Sequence, residues 1–379
     1  MKILQVIPHY FPSTHFGGTP VSCHHLSQNL VKLGSEVDVL TTDVFNGKER
    51  YRSKSQPETY ANYQIFRFRN LSNTLAYKNR FVIPIPSLRF LFGQLKTYNV
   101  IQLHEYRNLL NVLVCLFKPI TRATYVLYPL GTFPNYNTQI CFKKIFDVLF
   151  AKIINSAIDI YIVVSNVERE SLIASGVPKD KIVTIYYGID VVEAKFEKKK
   201  LLLYPYVLYL GRIDKRKGVD LLIKAYFKSA IFKDSIHLVV VGNDSNFLGK
   251  CKALVGKYNL SKFVHFREPI TGTKKATLYR DARLVAYVTE NEAYGLVPME
   301  AAFCGTASIV ADTAGVAEVL GKYDIGKSVK YGDIERLARL LKKMAVRENK
   351  VPKEKVRKLF EKYNWGVMSR RFIEVYQNA

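Results

Sequence analysis

Apolar residues along this chain come in short strand-like runs, and between them lie stretches with helical spacing. Ile3–Ile7 is the first run, and it leads into a loop containing Gly17 and Gly18. Thr19 and Pro20 fit a helix N-cap and first helical position. Leu26, Leu30 and Leu33 follow at helical spacing, and Gly34 is placed to stop the helix. Val37, Val39 and Thr41 open a second strand. Strand, loop, helix and strand in this order call for a parallel sheet. Residues 44–100 are less periodic and rich in Arg, Tyr and Phe. Strand-like runs return at Val100–Leu103, Thr124–Tyr128, Ile158–Val164 and Lys181–Ile185.

The pattern breaks at residues 188–205, where Gly188-Ile189-Asp190 turns the chain, Lys195–Lys200 is strongly charged and Pro205 precedes a new run at Tyr206–Leu210. Further strands are expected at His237–Val241, Phe263–Phe266, Leu284–Val288 and Ser308–Ala311, with helices through 219–229, 274–282, 295–303 and 333–345. The last segment puts Trp365, Met368, Phe372 and Val375 on one helical stripe that must be buried. The expected fold is α/β: two doubly wound, Rossmann-like domains facing across a cleft. Residues 1–190 form the first domain, 191–362 the second, and 363–379 a helix packing back toward the first.

Composition narrows the class. The chain has 379 residues, 48% of them hydrophobic, and a mean hydropathy of −0.03, which fits a globular protein rather than a disordered or fibrous one. No apolar run reaches the ~18 residues of a spanning helix. The N-terminus reads as a strand rather than a signal peptide, so a cytoplasmic protein is expected. Five scattered cysteines without a C-x-x-C favour neither a disulfide framework nor a zinc site. The net charge is +25, shared as +9 on residues 1–190 and +16 on the rest. That charge points to an anionic partner (a phosphorylated substrate, an anionic membrane surface or nucleic acid) or to an ordinary enzyme coated in solvated lysine.

Ligands of doubly wound sheets bind at the carboxyl ends of the strands, and three features fall there. Gly17-Gly18 sits between the first strand and first helix, where backbone can approach a phosphate; many plain turns also contain Gly-Gly. Gly211-Arg212-Ile213-Asp214-Lys215-Arg216-Lys217-Gly218 follows Tyr206–Leu210 and carries four cations in six residues. Such a loop suits a di-anion, with Arg212 able to bind in bidentate fashion and Lys217 acting as a point charge. Glu292 to Glu300, with Tyr294, Gly295, Leu296 and Val297 between them, opens another helix toward the same end. Eight residues of helix rise ~12 Å, more than the roughly 5–9.5 Å between the paired carboxylates of glycoside hydrolases. The two glutamates therefore read as separate hydroxyl acceptors.

GRIDKRKG and ENEAYGLVPMEAAFCGT resemble the two signature regions of glycosyltransferase family 4, which has the GT-B fold. SGVPKDKIVTIYYGID is similar to that family's interdomain stretch, and the Gly-Gly loop and closing YNW fit it as well. The resemblance implies that Arg212 and Lys217 bind the donor pyrophosphate, Glu300 the nucleotide ribose, and Glu292 with the backbone of Tyr294–Val297 the transferred sugar and distal phosphate. It further implies that Gly18 closes over that phosphate and that His104, in Ile101-Gln-Leu-His-Glu105, contacts the sugar. Glu268 and Pro269 fall in the expected base pocket. Tyr187, Arg267 and Ala307 stand where the family usually has Asn, Gly and Pro, so base specificity does not carry over.

A retaining transfer of a hexose from a nucleotide-diphosphate sugar is thereby implied, with no cofactor and no metal; the chain has no D-x-D. A glycan or lipid-linked acceptor is expected on the first domain. There Arg50, Arg52, Lys54, Arg67, Arg69, Lys78, Arg80 and Arg89 are interleaved with Tyr and Phe, and Phe142, Lys143, Lys144, Phe146 and Phe150 form a second cluster suited to an anionic bilayer. Two other classes compete. An NAD(P)-dependent oxidoreductase has only the β-α-β frame in its favour, because the first loop is not G-x-G-x-x-G. A nucleic-acid-binding protein has charge and aromatics but no recognition-helix or RNP-like motif.

Overall fold

The computed structural model describes residues 1–13, 18–46, 49–52, 55, 57–60, 62–79, 81–133, 140–189, 196–347 and 350–379. The chain divides into two compact units, Met1–Gly188 with Trp365–Ala379, and Ile189–Asn364.

In the first unit the strands are β1 (Lys2–Val6), β2 (Glu36–Thr42), β3 (Glu58–Tyr60), β4 (Tyr63–Asn70), β5 (Pro84–Ile85), β6 (Val100–His104), β7 (Thr124–Tyr128), β8 (Ile160–Val163) and β9 (Ile182–Thr184). Their order is β3-β4-β2-β1-β6-β7-β8-β9, with β5 on the edge of β4. Pairing is parallel except at β3 and β5, which run antiparallel to β4. Ile3, Leu4, Val6, Ile101, Leu103, Val126 and Leu127 are fully buried, as expected where helices cover both faces of a parallel sheet. Helix Thr19–Lys32 starts one residue earlier than a Thr19 cap implies. Gly18 is the N-cap, and Pro20 lies in the first turn where a missing N–H costs nothing.

The C-terminal helix Trp365–Gln377 belongs to this unit. Trp365, Met368, Phe372 and Tyr376 are its buried stripe, and Val375 is only half-buried. Phe372 meets Tyr128 edge-on at 5.4 Å, and the Tyr376 hydroxyl bonds Gln102. Trp365 lies so close to Gly188 that a Cβ there would come within 2.4 Å of the indole.

The second unit is a parallel sheet of β10 (Tyr206–Leu210), β11 (His237–Val241), β12 (Val264–Arg267), β13 (Leu284–Tyr287), β14 (Ser308–Ala311) and β15 (Gly326–Val329), in the order β12-β11-β10-β13-β14-β15. Strand succession runs one way from β10 and the other way from β13. The switch point, where loops part and leave a crevice, is therefore between these two strands. In the first sheet it lies between β1 and β6.

Candidate active site

Two loops meet at the switch point of the second unit. The one after β10 is shaped by its glycines and by Asp214. Gly242 approaches the carbonyl of Gly211 so closely that a Cβ would stand 1.8 Å from it, and Ile213 continues the pairing beyond the strands with Asp244. The carboxylate of Asp214 accepts from the backbone N–H groups of Arg216 (3.0 Å) and Lys217 (3.2 Å), which curls Lys215–Lys217 into a 3-10 turn. Gly218 then takes φ +66° and caps helix Val219–Ser229 with its Cβ position 2.2 Å from the carbonyl of Val288. Only glycine fits that left-handed, crowded position.

The loop after β13 lies alongside. Glu290 N–H donates to the carbonyl of Arg216 at 2.8 Å, tying the loops together. The Glu292 carbonyl accepts from Gly315 at 3.0 Å and that of Tyr294 from Val316 at 2.8 Å. Lys217 Nζ then donates to Glu292 Oε2 at 2.5 Å and stands 3.4 Å from the Tyr287 hydroxyl. Burial holds that phenol well above its usual pKa, so it stays protonated. Arg212 is the more open cation, with 47% of its side chain exposed and Asp214 3.5 Å away. Gly295, at φ +102°, is the N-cap of helix Leu296–Phe303, and no side chain caps this helix. Leu296 and Val297 open its first turn half-buried. The structure thus joins Lys217 to Glu292 and sets both beside an uncapped helix start, whose N–H groups carry partial positive charge.

Glu300 has different company. Its carboxylate accepts from Lys275 Nζ (2.8 Å) and from the Tyr279 hydroxyl (2.8 Å), both on helix Gly272–Asp281. The two glutamates have separate partners, as their spacing requires. Neither Lys275 nor Tyr279 lies in a signature motif, although their i, i+4 spacing on a helix is the signal that places them on one face. Arg267 closes β12, exposed, with the Tyr204 hydroxyl 3.5 Å away, and Glu268 and Pro269 follow it exposed.

In the first unit, Gly18 caps its helix at the β1–β6 switch point, and Gly17 lies outside the described residues. His104, at the carboxyl end of β6, is its last residue and is wholly buried. Nε2 lies 2.5 Å from Gln5 Oε1 and 3.3 Å from Gln102. Burial lowers its pKa to about 3, so the ring is neutral in this setting. Its partners come from β1, from β6 and, through Gln102, from the C-terminal helix, which no local pattern shows.

The basic-aromatic stretch also sorts itself. Arg50 pairs with Asp43 and Arg67 with Glu58, whereas Arg69 and Arg89 are exposed. Lys54 and Arg80 lie outside the described residues. On helix Ile140–Ala157, Phe146 turns into the core and Phe150 packs against it. Phe142, Ile145, Val148 and Leu149 face outward.

Comparison with known proteins agrees with this geometry. The family model Glycosyltransferase Family 4 matches residues 16–193, and Glycosyl transferases group 1 matches residues 191–362. An uncharacterized glycosyltransferase of Methanocaldococcus jannaschii is 24% identical over all of this chain and 98% of its own. Phosphatidyl-myo-inositol mannosyltransferase of Mycobacterium tuberculosis is 29% identical over 46% of this chain and 47% of its own. Among solved structures, sucrose-phosphate synthase of Thermosynechococcus elongatus superposes with a TM-score of 0.75 at 19% identity, covering 100% of this chain and 98% of its own. HepE of Anabaena, solved in complex with UDP and glucose, superposes with a TM-score of 0.74 at 16% identity, with both chains fully covered. Two parallel sheets of this topology, with the basic loop and helix start at the second switch point, define an enzyme of the GT-B glycosyltransferase type. The chain belongs to glycosyltransferase family 4.

Proposed function

We propose that this enzyme moves a hexose from a nucleoside-diphosphate sugar to a hydroxyl of a glycan or lipid-linked acceptor, with retention of configuration and without a metal ion. The observation that carries the reading is the junction of Lys217, Glu292 and the uncapped helix at Gly295, on adjacent loops of one switch point. In the transfer, the bond between the anomeric carbon and the phosphate oxygen breaks and the diphosphate departs with the electron pair. The acceptor oxygen bonds the anomeric carbon from the same face, and its proton passes to the departing phosphate. Lys217, Arg212 and the first N–H groups of helix Leu296–Phe303 stabilise the developing charge from fixed positions. Glu292 holds Lys217 in place and offers its other oxygen to a sugar hydroxyl. Glu300, steadied by Lys275 and Tyr279, accepts from the ribose, and Arg267, Glu268 and Pro269 border the base. HepE, solved with UDP and glucose, supports a donor of this class.

The first unit takes the acceptor, and it does so at an anionic bilayer on the cytoplasmic face. Helix Ile140–Ala157 supports this: Phe142, Ile145, Val148 and Leu149 are exposed, with Val148 at 86%, and exposed Lys144 and Lys152 flank them. Among the described residues no helix is long and apolar enough to cross a membrane. The mannosyltransferase relative, named for a phosphatidyl acceptor, agrees with a lipid-linked substrate.

A mass-resolved assay against a panel of nucleotide sugars tests the proposal, with EDTA present and product configuration read by NMR. Release of nucleoside diphosphate with a retained anomer in EDTA is expected. Thermal stabilisation by NAD(P) or oligonucleotides, and by no nucleoside diphosphate, would overturn it.

A further inference from the structure

The outer edge of β4 is covered in two pieces. β3 pairs with Tyr63–Ile65 and β5 with Arg69 and Asn70. Between them a groove of 650 Å³ opens, lined among others by Tyr51, Phe66, Arg69, Arg89, Phe90 and Gln94. Its volume falls within the roughly 300–1,000 Å³ of small-molecule sites.

The charges around this groove are unevenly matched. Asp43 accepts from Arg50 Nη1 at 2.8 and 3.0 Å and from the Asn70 N–H at 2.7 Å. Arg67 donates from Nε to Glu58 at 3.1 Å and from Nη2 to the Phe11 carbonyl at 2.7 Å, and lies 4.1 Å over the ring of Tyr51. These groups satisfy one another and fix the walls. Arg69 and Arg89 are exposed, and neither has a carboxylate partner among the described residues. Beside them Phe66, half-buried, lines the groove, backed by the core residues Phe90, at 4.8 Å between ring centres, and Phe68, 5.7 Å from Phe90. Two free guanidinium forks match a doubly charged tetrahedral oxyanion better than a single carboxylate. The phenylalanine wall suits an apolar group attached to that anion.

We infer that this groove binds a phosphate ester, with Arg69 and Arg89 on the phosphoryl oxygens and the phenylalanine wall against the substituent. It deepens the reading of the first unit as the acceptor side and rests on that reading for the ester's role as acceptor. The phosphoryl group could be a lipid headgroup or a soluble ester, and the probes separate these sources.

Calorimetric titration of the full chain with octyl phosphate, glycerol 3-phosphate and octyl glucoside tests the inference. Phosphate-ester binding should weaken on the order of a hundredfold in the Arg69→Ala/Arg89→Ala variant, about tenfold per charge-assisted contact removed. The Arg69→Lys/Arg89→Lys variant should recover most of it. Octyl phosphate binding tighter than glycerol 3-phosphate identifies a lipid-type ester, and equal affinities identify a soluble one. Octyl phosphate affinity that survives in the double alanine variant, or binding of octyl glucoside alone, overturns the site. Thermal stabilisation by nucleoside diphosphates should be the same in wild type and both variants. Its absence from all three would count against the donor reading while leaving the groove result standing.

Discussion

Replacing Lys217 by methionine removes one ammonium group while keeping most of the side-chain volume. In the native protein that ammonium lies 2.5 Å from Glu292, with 13% of the lysine and 28% of the glutamate side chain exposed. The pair is therefore largely withdrawn from water but not sealed. Exposed pairs contribute ~0–1 kcal/mol, and breaking a fully buried pair costs about 3–5 kcal/mol. A half-withdrawn pair should fall between, at roughly 1–2 kcal/mol, which for a unit of this size lowers Tm by about 3–6 °C. The effect on turnover should be larger. A fixed positive group facing a departing diphosphate is expected to be worth ~3–4 kcal/mol in the transition state, or 10²–10³ in kcat. Adding Glu292→Gln separates the two effects, because the double variant no longer holds an unpaired carboxylate. It should regain most of the lost Tm and none of the lost kcat. The measurements are thermal unfolding and nucleoside-diphosphate release under saturating donor. A folded Lys217→Met variant with native kcat would refute the reasoning. So would a double variant in which turnover returned together with stability, for then Lys217 would serve only to neutralise Glu292.

Glu300→Gln keeps an acceptor for Tyr279 but loses the ion pair with Lys275; the donor KM should rise on the order of tenfold with Tm nearly unchanged, as donor titration and a melting curve would show. Gly218→Ala forces a Cβ to within 2.2 Å of the Val288 carbonyl at φ +66° and should cost about 2–4 kcal/mol, read from the urea midpoint. Burial raises the pKa of Glu168 from 4.5 to about 7, although the N–H groups of Gly131 and Val164 donate to it. The native state therefore holds this proton more tightly than the unfolded chain. The stability it contributes is fully present below pH 4.5 and is lost as pH rises to about 7. Glu168→Gln should flatten urea midpoints between pH 5 and 8, and an unchanged slope would contradict that account.

Where an apolar run is closed by Gly or Pro, local pattern and structure coincide. Tyr206–Leu210, His237–Val241 and the helix at 219–229, each with Gly or Pro at a boundary, appear where their sequences place them. β4 was not legible, because its Tyr-Gln-Ile-Phe-Arg-Phe-Arg-Asn run reads as a basic, aromatic surface. Arg67 is buried only because Glu58, the Phe11 carbonyl and the Tyr51 ring, all distant in sequence, gather round it. β15, Gly-Lys-Ser-Val, is too short and polar to register as a strand. Lys217 and Glu292 each stand out in sequence by type and position. Their contact across 75 residues follows from β13 lying next to β10, and strand order is not written in any window of sequence. The hydrogen bonds of His104 with Gln5 on the neighbouring strand and with Gln102 are likewise set by strand order and not by a local pattern. Residues 142–150 read in sequence as a basic-aromatic cluster, but the turn of the helix sends Phe146 inward and leaves Ile145, Val148 and Leu149 outside.

The place of helix Trp365–Gln377 also sets the order of events during synthesis. Every strand of the first sheet has been made by residue 184, yet Phe372 and Tyr376, which cover Tyr128 and Gln102, are not. The whole of Ile189–Asn364 must be translated in between, a wait of roughly 10–35 s at ordinary elongation rates. Through that interval the nascent first sheet carries a bare apolar strip, and the second unit is free to fold before the first is closed.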